Sequence, residues 1–302
     1  MPYRFITTDV FTAAPFGGNP LAVVLEATGL TDVDMQRIAC EFNLSETTFV
    51  LPPTEAQNTA QVRIFTPTRE LQFAGHPTIG TAVVLAELAQ AGTGPFATEV
   101  RLEEGIGLLR VQVTRAVGAA TYGEFVAVQL PRRVGNAPPV ERIAAALSLS
   151  TTDIGGAGHA PCFMEAGVPF LFVPLYTLEA LARARVNTAV WPGPQEYGQP
   201  VSVFLYTRGG ESPHATYHAR MFAPDFGILE DPATGSAAAA FPGQVHAFER
   251  LADGTHHWLI EQGYEMGRPS DLRVGVDISA GAITAVRVGG QAVQVSEGTI
   301  KV

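Results

Sequence analysis

The chain has 302 residues, 46% hydrophobic and 16% charged, enough for one large or two ordinary globular domains without help from disulfides or metals. Its 29 acidic and 19 basic side chains give a net charge of −10, which disfavours nucleic-acid partners. Two cysteines, no basic leader and no apolar stretch of roughly 20 residues predict a cytoplasmic protein without a membrane partner.

Several cofactor classes are disfavoured by missing residues. Lys301 is the single lysine, which rules out a pyridoxal-phosphate Schiff base on a core lysine and a Gly-Lys-Ser/Thr phosphate loop. The chain has no G-x-S-x-G, H-E-x-x-H or post-strand G-x-G-x-x-G motif, so a serine hydrolase or a dehydrogenase is disfavoured. The paired histidines, His214 with His218 and His256 with His257, lack a completing ligand set, and no metal site is predicted.

The first half of the chain predicts strands and two helices. The helix over 31–42 takes Thr31 or Asp32 as its N-cap and places an apolar face toward the core. In chain order the predicted elements are strand 3–11, strand 21–25, helix 31–42, strand 45–53, strand 61–67, helix 77–90, and the strands ATEVRLEE and GLLRVQVTR.

The second half predicts a similar order after a linker at 117–123. Its elements are strand 124–132, helix 139–148, strand CFMEAG, strand 170–175, helix 177–185, the strands SVFLYTR and ATYHARMF, and a helix after EDPATGSA. Pro242 and Gly243 are expected to kink or break this last helix.

One segment occurs twice in the chain. RIFTPTRELQFAGHPTIGTAVV at 63–84 is repeated as RMFAPDFGILEDPATGSAAAA at 220–240, with an offset of 157 (220 − 63). A repeat at half the chain length predicts two copies of one domain, 1–120 and 121–302. The pattern predicts an α+β fold in which a curved mixed sheet wraps a central helix in each copy, with the ligand in the interdomain cleft. The last strand, 292–302, packs either on the second domain or back on the first.

Each copy of the repeat ends in a turn that opens a helix. The turn at 75–78 carries His76 and the turn at 231–234 carries Asp231. The first backbone N–H groups of a helix have no intrahelical acceptor and favour anions. Two such helix starts predict a paired anion site with a titratable side chain on each side, although a well-capped helix start is the alternative for either copy.

Five separated motifs occur in order along nearly the whole chain: DVFTAAPFGGNPLAVV, SETTFV, RIFTP with GHPTIGTA, RMFAPDFGILEDPATGSA, and EQGYEMGRPS. Together they resemble the phenazine-biosynthesis isomerase family, the PhzF-like proteins, which are related in fold to diaminopimelate epimerase. The resemblance implies two epimerase-like domains, no cofactor and a homodimer.

The resemblance also implies the site residues. The glutamate of SETTFV is Glu46, which lies in an apolar run and is expected to be a buried general acid/base, with a solvent-facing strand-edge glutamate as the alternative. His76 and Asp231 are expected to orient the substrate and tune this base, the alternatives being a structural histidine and a plain helix cap. The substrate-binding residues are expected at the two helix starts and beside Glu46: Ser45, Gly75, Pro77, Thr78, Thr234, Gly235, Ser236 and Ala237.

The cysteines do not fit the thiol chemistry of the related epimerases, which place two cysteines at the helix starts. Here Cys40 lies within helix 31–42 and Cys162 lies in a strand, so both are expected in the core and a two-thiol racemase is excluded.

The resulting expectation is an isomerase that moves a proton within a small carboxylate substrate, as trans-2,3-dihydro-3-hydroxyanthranilate isomerase does. Pro242 falls near the place of a substrate-contacting glutamine in phenazine-type relatives, with Gln244 as a substitute if the helix breaks. An isomerase or epimerase of another small amino carboxylate, and a non-catalytic binding protein on the same fold, are therefore kept as alternatives.

Overall fold

The computed structural model describes residues 2–90, 92–191, 193 and 200–302. The helices are α1 (Asp32–Phe42), α2 (Gly75–Ala89), α3 (Val140–Leu147), α4 (Leu178–Arg183) and α5 (Gly235–Glu249). The strands are β1 (Pro2–Val10), β2 (Asn19–Val24), β3 (Glu46–Leu51), β4 (Ala60–Phe65), β5 (Glu70–Leu71), β6 (Phe96–Glu104), β7 (Gly107–Arg115), β8 (Thr121–Val126), β9 (Arg132–Arg133), β10 (Cys162–Glu165), β11 (Pro169–Pro174), β12 (Val203–Arg208), β13 (Tyr217–Ala223), β14 (Ile228–Asp231), β15 (Gly254–Gln262), β16 (Ser270–Ser279) and β17 (Ala282–Lys301).

Residue contacts divide the chain into two compact units. Unit 1 comprises Met1–Val128 together with Val288–Val302, and unit 2 comprises Gln129–Arg287. The end of the chain belongs to unit 1 because β17 pairs antiparallel with β1 from Pro2 to Val10. The division into two homologous domains, 1–120 and 121–302, stays a prediction.

Unit 1 is a mixed sheet around α2. The strands β2 and β3 are parallel, as are β4 and β6, while the neighbouring pairs are antiparallel. The strand β17 pairs with both β8 and β1, so it joins the end of the first half of the chain to its beginning. The helix α2 is apolar on all sides, as a helix enclosed by a sheet must be, and it contacts β1, β2, β3, β6, β7 and β8.

A glycine lets α2 approach the sheet closely. A Cβ atom built on Gly80 would lie 2.6 Å from a methyl carbon of Leu21 and 2.7 Å from one of Val10, distances that real Cβ atoms do not show. A larger residue at this position would require the side chains of Leu21 and Val10, or α2 itself, to shift.

Helix α1 follows the sequence prediction closely and has Thr31 as its N-cap. The Thr31 hydroxyl accepts from the Asp34 backbone N–H, and the Asp34 carboxylate accepts from the Thr31 N–H, a reciprocal capping box. The helix buries Met35, Ile38 and Ala39 against the outer side of β3 and β4.

Unit 2 repeats the same order of pairings. The strands β11 and β12 are parallel, as are β13 and β15, with antiparallel partners on either side. The helix α5 contacts β9, β10, β11 and β16. The predicted break at Pro242 is wrong, since α5 runs as one helix to Glu249 with Pro242 inside it.

Two further expectations from the sequence change in the structure. The segment 117–123, predicted as the linker between the domains, lies within unit 1: its first residues form the turn between the antiparallel strands β7 and β8, and Tyr122 and Gly123 pair with β7. Cys40 is exposed rather than in the core, because α1 turns its neighbours Ile38 and Ala39 inward.

Cys162 is buried as predicted, and burial raises the pKa of its thiol. No helix in the described ranges is both long and apolar enough to cross a membrane.

Candidate active site

Glu46 is the first residue of β3, where this strand begins beside β2. It pairs in parallel register with Leu21 and has only 8% of its surface exposed. Burial follows from its position, because the residues after it on β3 lie in the core and His76, at the start of α2, lies against it. The solvent-facing alternative for Glu46 does not fit this position.

His76 is the second residue of α2 and lies beside Glu46. Its Nε2 atom is 3.4 Å from Oε2 of Glu46, and the side chain is almost completely buried. Burial lowers the pKa of His76 to about 3, so the imidazole is neutral at physiological pH. The two atoms are in contact but do not have the geometry of a hydrogen bond, and His76 Nε2 is buried without a hydrogen-bond partner among the described residues. In the neutral ring Nε2 is a donor or an acceptor according to the tautomer.

The first turn of α2 is held from the end of β6. Ala74 is the N-cap residue and makes no side-chain hydrogen bond to the helix. Instead, the hydroxyl of Thr78 is 2.9 Å from the carbonyl oxygen of Ala74 and 2.7 Å from Oε1 of Glu104, the last residue of β6. The turn that carries His76 is therefore fixed by a buried Thr78–Glu104 contact.

Asp231 ends β14 in unit 2 and is buried, at 5% exposure. Its Oδ2 accepts a 2.5 Å hydrogen bond from the hydroxyl of Thr234, the N-cap residue of α5. The side chain of Gln262 completes this turn, with Nε2 donating to the Asp231 carbonyl and to the Thr234 hydroxyl, and Oε1 accepting from the Thr234 N–H. The carboxylate is thus held in one orientation by the turn that it precedes.

The predicted substrate-binding residues divide between the two helix starts. Gly75, Pro77 and Thr78 are buried in the first turn of α2, and Ser45 is half-buried beside Glu46. Gly235 and Ala237 are buried in the first turn of α5, while Ser236 is half-buried. The first intrahelical bond of α5 is donated by Ala238 to Thr234, so the N–H groups of residues 235–237 have no acceptor within the helix.

The sequence analysis missed Glu104 and Gln262, which support the two helix starts. The signal was available, because Glu103-Glu104-Gly105 and Glu261-Gln262-Gly263 form a second repeat at an offset of 158 (261 − 103). The leading glutamate of each copy accepts hydrogen bonds from two consecutive backbone N–H groups of a neighbouring turn, at residues 54–55 in unit 1 and 211–212 in unit 2.

The structure also identifies the counterpart of Glu46 in unit 2. Two strand pairs share one register, Thr47 with Phe65 in unit 1 and Val203 with Phe222 in unit 2. Since the two phenylalanines occupy the same place in the repeat, the preceding residues Glu46 and Ser202 correspond. Ser202 is buried, at 5% exposure, and its hydroxyl cannot act as a base near neutral pH without a partner that activates it.

The geometry therefore brings Glu46 and His76 together in unit 1 and holds Asp231 at the start of α5 in unit 2. Among the described residues, no group of three or more His, Cys, Asp or Glu side chains could hold a metal ion. Glu46 is a buried carboxyl group next to a neutral imidazole, an arrangement in which the carboxyl group can take up and return a proton.

Comparison with known proteins agrees with the motifs. The profile of the phenazine biosynthesis-like protein family, PhzC/PhzF, matches residues 8–298. The chain is 44% identical over 302 residues to an uncharacterized isomerase of Mesorhizobium japonicum, with 98% of each chain covered. It is 32% identical over 299 residues to the trans-2,3-dihydro-3-hydroxyanthranilate isomerase of Pseudomonas chlororaphis, with 99% of each chain covered.

The fold has close counterparts among solved structures. The PhzF-family protein of Bacillus anthracis superimposes with a TM-score of 0.88 at 25% identity, with all of both chains covered. A hydroxyproline epimerase of Agrobacterium vitis superimposes with a TM-score of 0.65 at 14% identity, over 99% of this chain and 91% of the other, which shows a shared fold alone.

These similarities define the chain as an isomerase with the epimerase-like fold. It belongs to the phenazine biosynthesis-like family, the PhzF family, as the motifs indicated.

Proposed function

We propose that the protein moves a proton within a small carboxylate substrate by general acid/base catalysis at Glu46, without a cofactor. The observation that carries this proposal is the buried contact between Glu46 and His76, 3.4 Å from Nε2 to Oε2. A base near a substrate C–H and a way to return the proton to another carbon are the two requirements of such an isomerisation.

One carboxylate can meet both requirements. Glu46 takes the proton from the donor carbon, holds it as the neutral acid, and returns it to the acceptor carbon on the same face of the substrate. His76 stays neutral throughout and contacts the carboxyl group of Glu46 through Nε2 without taking up the proton itself. Ser202 stands where a second base of a duplicated site would be, which favours a one-base mechanism.

The remaining site residues bind the substrate in this proposal. Asp231, held by Thr234 and Gln262, accepts from the amine or hydroxyl of the substrate. The substrate carboxylate lies on the backbone N–H groups at 235–237, with the Ser236 hydroxyl as a further donor. Both helix starts act on one substrate in the cleft between two homologous domains, as the resemblance implies.

The first candidate substrate is trans-2,3-dihydro-3-hydroxyanthranilate, on which the Pseudomonas chlororaphis relative acts by its name. One observation favours a second candidate, another small amino carboxylate. Gln244 lies nine residues beyond the start of α5, roughly 14 Å along the helix axis, and its Nε2 atom donates to the Ala160 carbonyl and the Tyr206 hydroxyl. It therefore does not replace the substrate-contacting glutamine of phenazine-type relatives.

Proton NMR in heavy water tests both candidates. The purified protein is mixed with trans-2,3-dihydro-3-hydroxyanthranilate, and loss of the vinylic pattern with deuterium entry at the receiving carbon is followed over time. Isomerisation identifies the first substrate. If it is absent, deuterium entry into any member of a panel of small amino carboxylates supports the second candidate, and no exchange with any of them supports a non-catalytic binding protein.

The resemblance also favours a homodimer in the cytoplasm. Light scattering of the purified protein tests this assembly, because a monomer and a dimer of a 32.0 kDa chain differ twofold in mass.

A further inference from the structure

Glu104 is a buried carboxyl group that the proposed reaction does not use. It ends β6, at the position that Gln262 occupies at the end of β15. The two positions correspond by register, because β6 pairs in parallel with β4 through Gln61 and Glu103, and β15 pairs in parallel with β13 through His218 and Glu261. A carboxyl group in unit 1 thus stands where unit 2 has an amide.

In unit 2 the residue at this position, Gln262, is the hydrogen-bond donor toward the helix start. Gln262 Nε2 donates to the hydroxyl of Thr234, and that hydroxyl donates onward to Asp231. An amide nitrogen can only donate, so this direction is not ambiguous once the amide is oriented by the Thr234 N–H donating to its oxygen.

The same direction in unit 1 requires a proton on Glu104. The Thr78 hydroxyl has one hydrogen and two oxygen neighbours, the Ala74 carbonyl at 2.9 Å and Glu104 Oε1 at 2.7 Å. The Ala74 carbonyl cannot donate. If the hydroxyl gives its hydrogen to Ala74, the hydrogen between Thr78 and Glu104 must come from the carboxyl group.

The surroundings of Glu104 favour the neutral acid. The residue is 8% exposed, and its second oxygen, Oε2, is buried without a hydrogen-bond partner among the described residues. Burial raises the pKa of Glu104 to about 8, although its hydrogen-bond contact with Thr78 acts in the opposite direction. An ionised carboxylate here would have no cation or second donor to compensate for its burial.

We propose that Glu104 is held as a neutral carboxylic acid that donates to Thr78 and thereby positions the first turn of α2, on which His76 stands. Glu104 is a positioning residue in this proposal, since it acts on the Glu46–His76 pair through Thr78 and the helix backbone. Its effect on turnover rests on the proposed function, whereas its protonation does not.

The charged groups around Glu104 are already engaged with other partners. In the cavity of about 620 Å³ that Glu104 lines, Arg63 and Glu70 bond to each other at 2.7 Å, and Glu103 accepts from Thr54 and Asn58. The remaining acidic residue of this cavity is Glu55, which is exposed. His76, on α2, is neutral. Titration of Glu104 should therefore be a separate event near pH 8.

Carbon-13 NMR of the glutamate carboxyl groups tests the protonation directly. In protein labelled at the glutamate side-chain carboxyl, one resonance is expected to titrate near pH 8 and to be absent from the Glu104→Gln variant, which assigns it. A Glu104 resonance that is already ionised at pH 7 would overturn the proposal. This measurement uses no substrate, so it is independent of whether any isomerisation is found.

Paired variants test the positioning role on whichever substrate the heavy-water experiment identifies. The kcat of the wild type is expected to decline above pH 8, where Glu104 loses its proton. Glu104→Gln keeps a donor to Thr78, as Gln262 provides in unit 2, so its kcat is expected to stay within about threefold of the wild type and to show no such decline. Glu104→Met has similar length and no donor, and kcat is expected to fall about tenfold with KM little changed.

Equal loss of kcat in the Gln and Met variants, both folded by circular dichroism, would contradict positioning by donation. If Glu104→Met does not fold, the pH profile of Glu104→Gln decides the question. If the proton on Glu104 has no role in positioning, the kcat of Glu104→Gln will decline above pH 8 just as that of the wild type does, and the proposal is overturned.

Discussion

Unit 1 and unit 2 share one scaffold and differ in where their titratable side chains lie. Unit 1 has Glu46 at the start of β3, and unit 2 has Ser202 at the corresponding place. At the end of the parallel strand that supports the helix start, unit 1 has Glu104 and unit 2 has Gln262. Both differences place the acid in unit 1 and a neutral polar residue in unit 2.

The difference indicates a division of work between two copies of one fold. In unit 1 the groups around the helix start can gain and lose protons, whereas in unit 2 they form a fixed network that orients Asp231. The features that are unchanged between the copies are structural, such as the glutamates at 103 and 261 that bind backbone N–H groups. In the proposed mechanism, both copies of the scaffold keep one framework, while unit 1 transfers the proton and unit 2 binds the substrate.

The largest expected effect on stability comes from replacing the arginine at one position of the repeat, which is Arg63 in unit 1 and Arg220 in unit 2. Arg220 is 3% exposed and bonds to Glu230 and to the carbonyls of 181, 182 and 184, whereas Arg63 bonds to Glu70 and Asp32 nearer the surface. Arg220→Met should lower the free energy of unfolding by roughly 3–5 kcal/mol, because it leaves buried acceptors unpaired.

Arg63→Met is the matched control, with an expected loss of about 1 kcal/mol or less. Both arginines lie over a phenylalanine ring, and methionine preserves most of that contact. Urea unfolding of the two variants measures the difference. Equal losses of unfolding free energy in the two variants would show that the deeper burial of Arg220 does not make it more stabilising than Arg63.

The next effect tests the neutral imidazole of unit 1. The pKa of His76 is lowered in the folded state, so its contribution to stability is present above pH 6.5 and is lost as the pH falls toward 3. Between pH 7 and pH 5 the wild type should lose about 2 kcal/mol more than His76→Gln in urea unfolding.

The exposed His214 of unit 2 supplies the control for this measurement. His214→Gln should show the same dependence on pH as the wild type. An identical pH dependence in the wild type and in His76→Gln would mean that His76 is not held neutral by burial.

The smallest expected effect concerns the counterpart of the base. Ser202→Ala removes a hydroxyl that has no role in the proposed reaction, so turnover should stay within about twofold and the free energy of unfolding within about 1 kcal/mol. Steady-state kinetics and urea unfolding measure both quantities. A large loss of turnover would place a reacting group at this position and contradict the division of work between the units.

Much of the fold could be read from the sequence because its signals are local. Most strands follow from apolar runs, and α1 follows from its Thr31–Asp34 capping box. The predicted strand 124–132 is wrong, because β8 ends at Val126 and β9 begins only at Arg132. The repeat at 63–84 and 220–240 located both helix starts, since turns rich in glycine and proline are distinctive. Residues His76 and Asp231 were found in this way.

The rest depends on contacts between distant residues. Glu104 is 26 positions from Thr78, and the packing of α2 against β6 brings them together. The helix α5 continues through Pro242 because the surrounding sheet supports it, which propensity alone does not reveal. Cys40 was misplaced because the burial of α1 changes between adjacent residues, Ala39 facing inward and Cys40 outward.

The central claim is that one carboxylate, Glu46, carries the proton. The direct test is the rate of deuterium entry into the substrate by the Glu46→Gln variant in heavy water, with Ser202→Ala measured beside it. A general acid–base step accounts for about 10² to 10⁴-fold in rate, so Glu46→Gln should lose at least that factor while Ser202→Ala keeps its activity and both remain folded. Deuterium entry at a near wild-type rate in Glu46→Gln would contradict the mechanism.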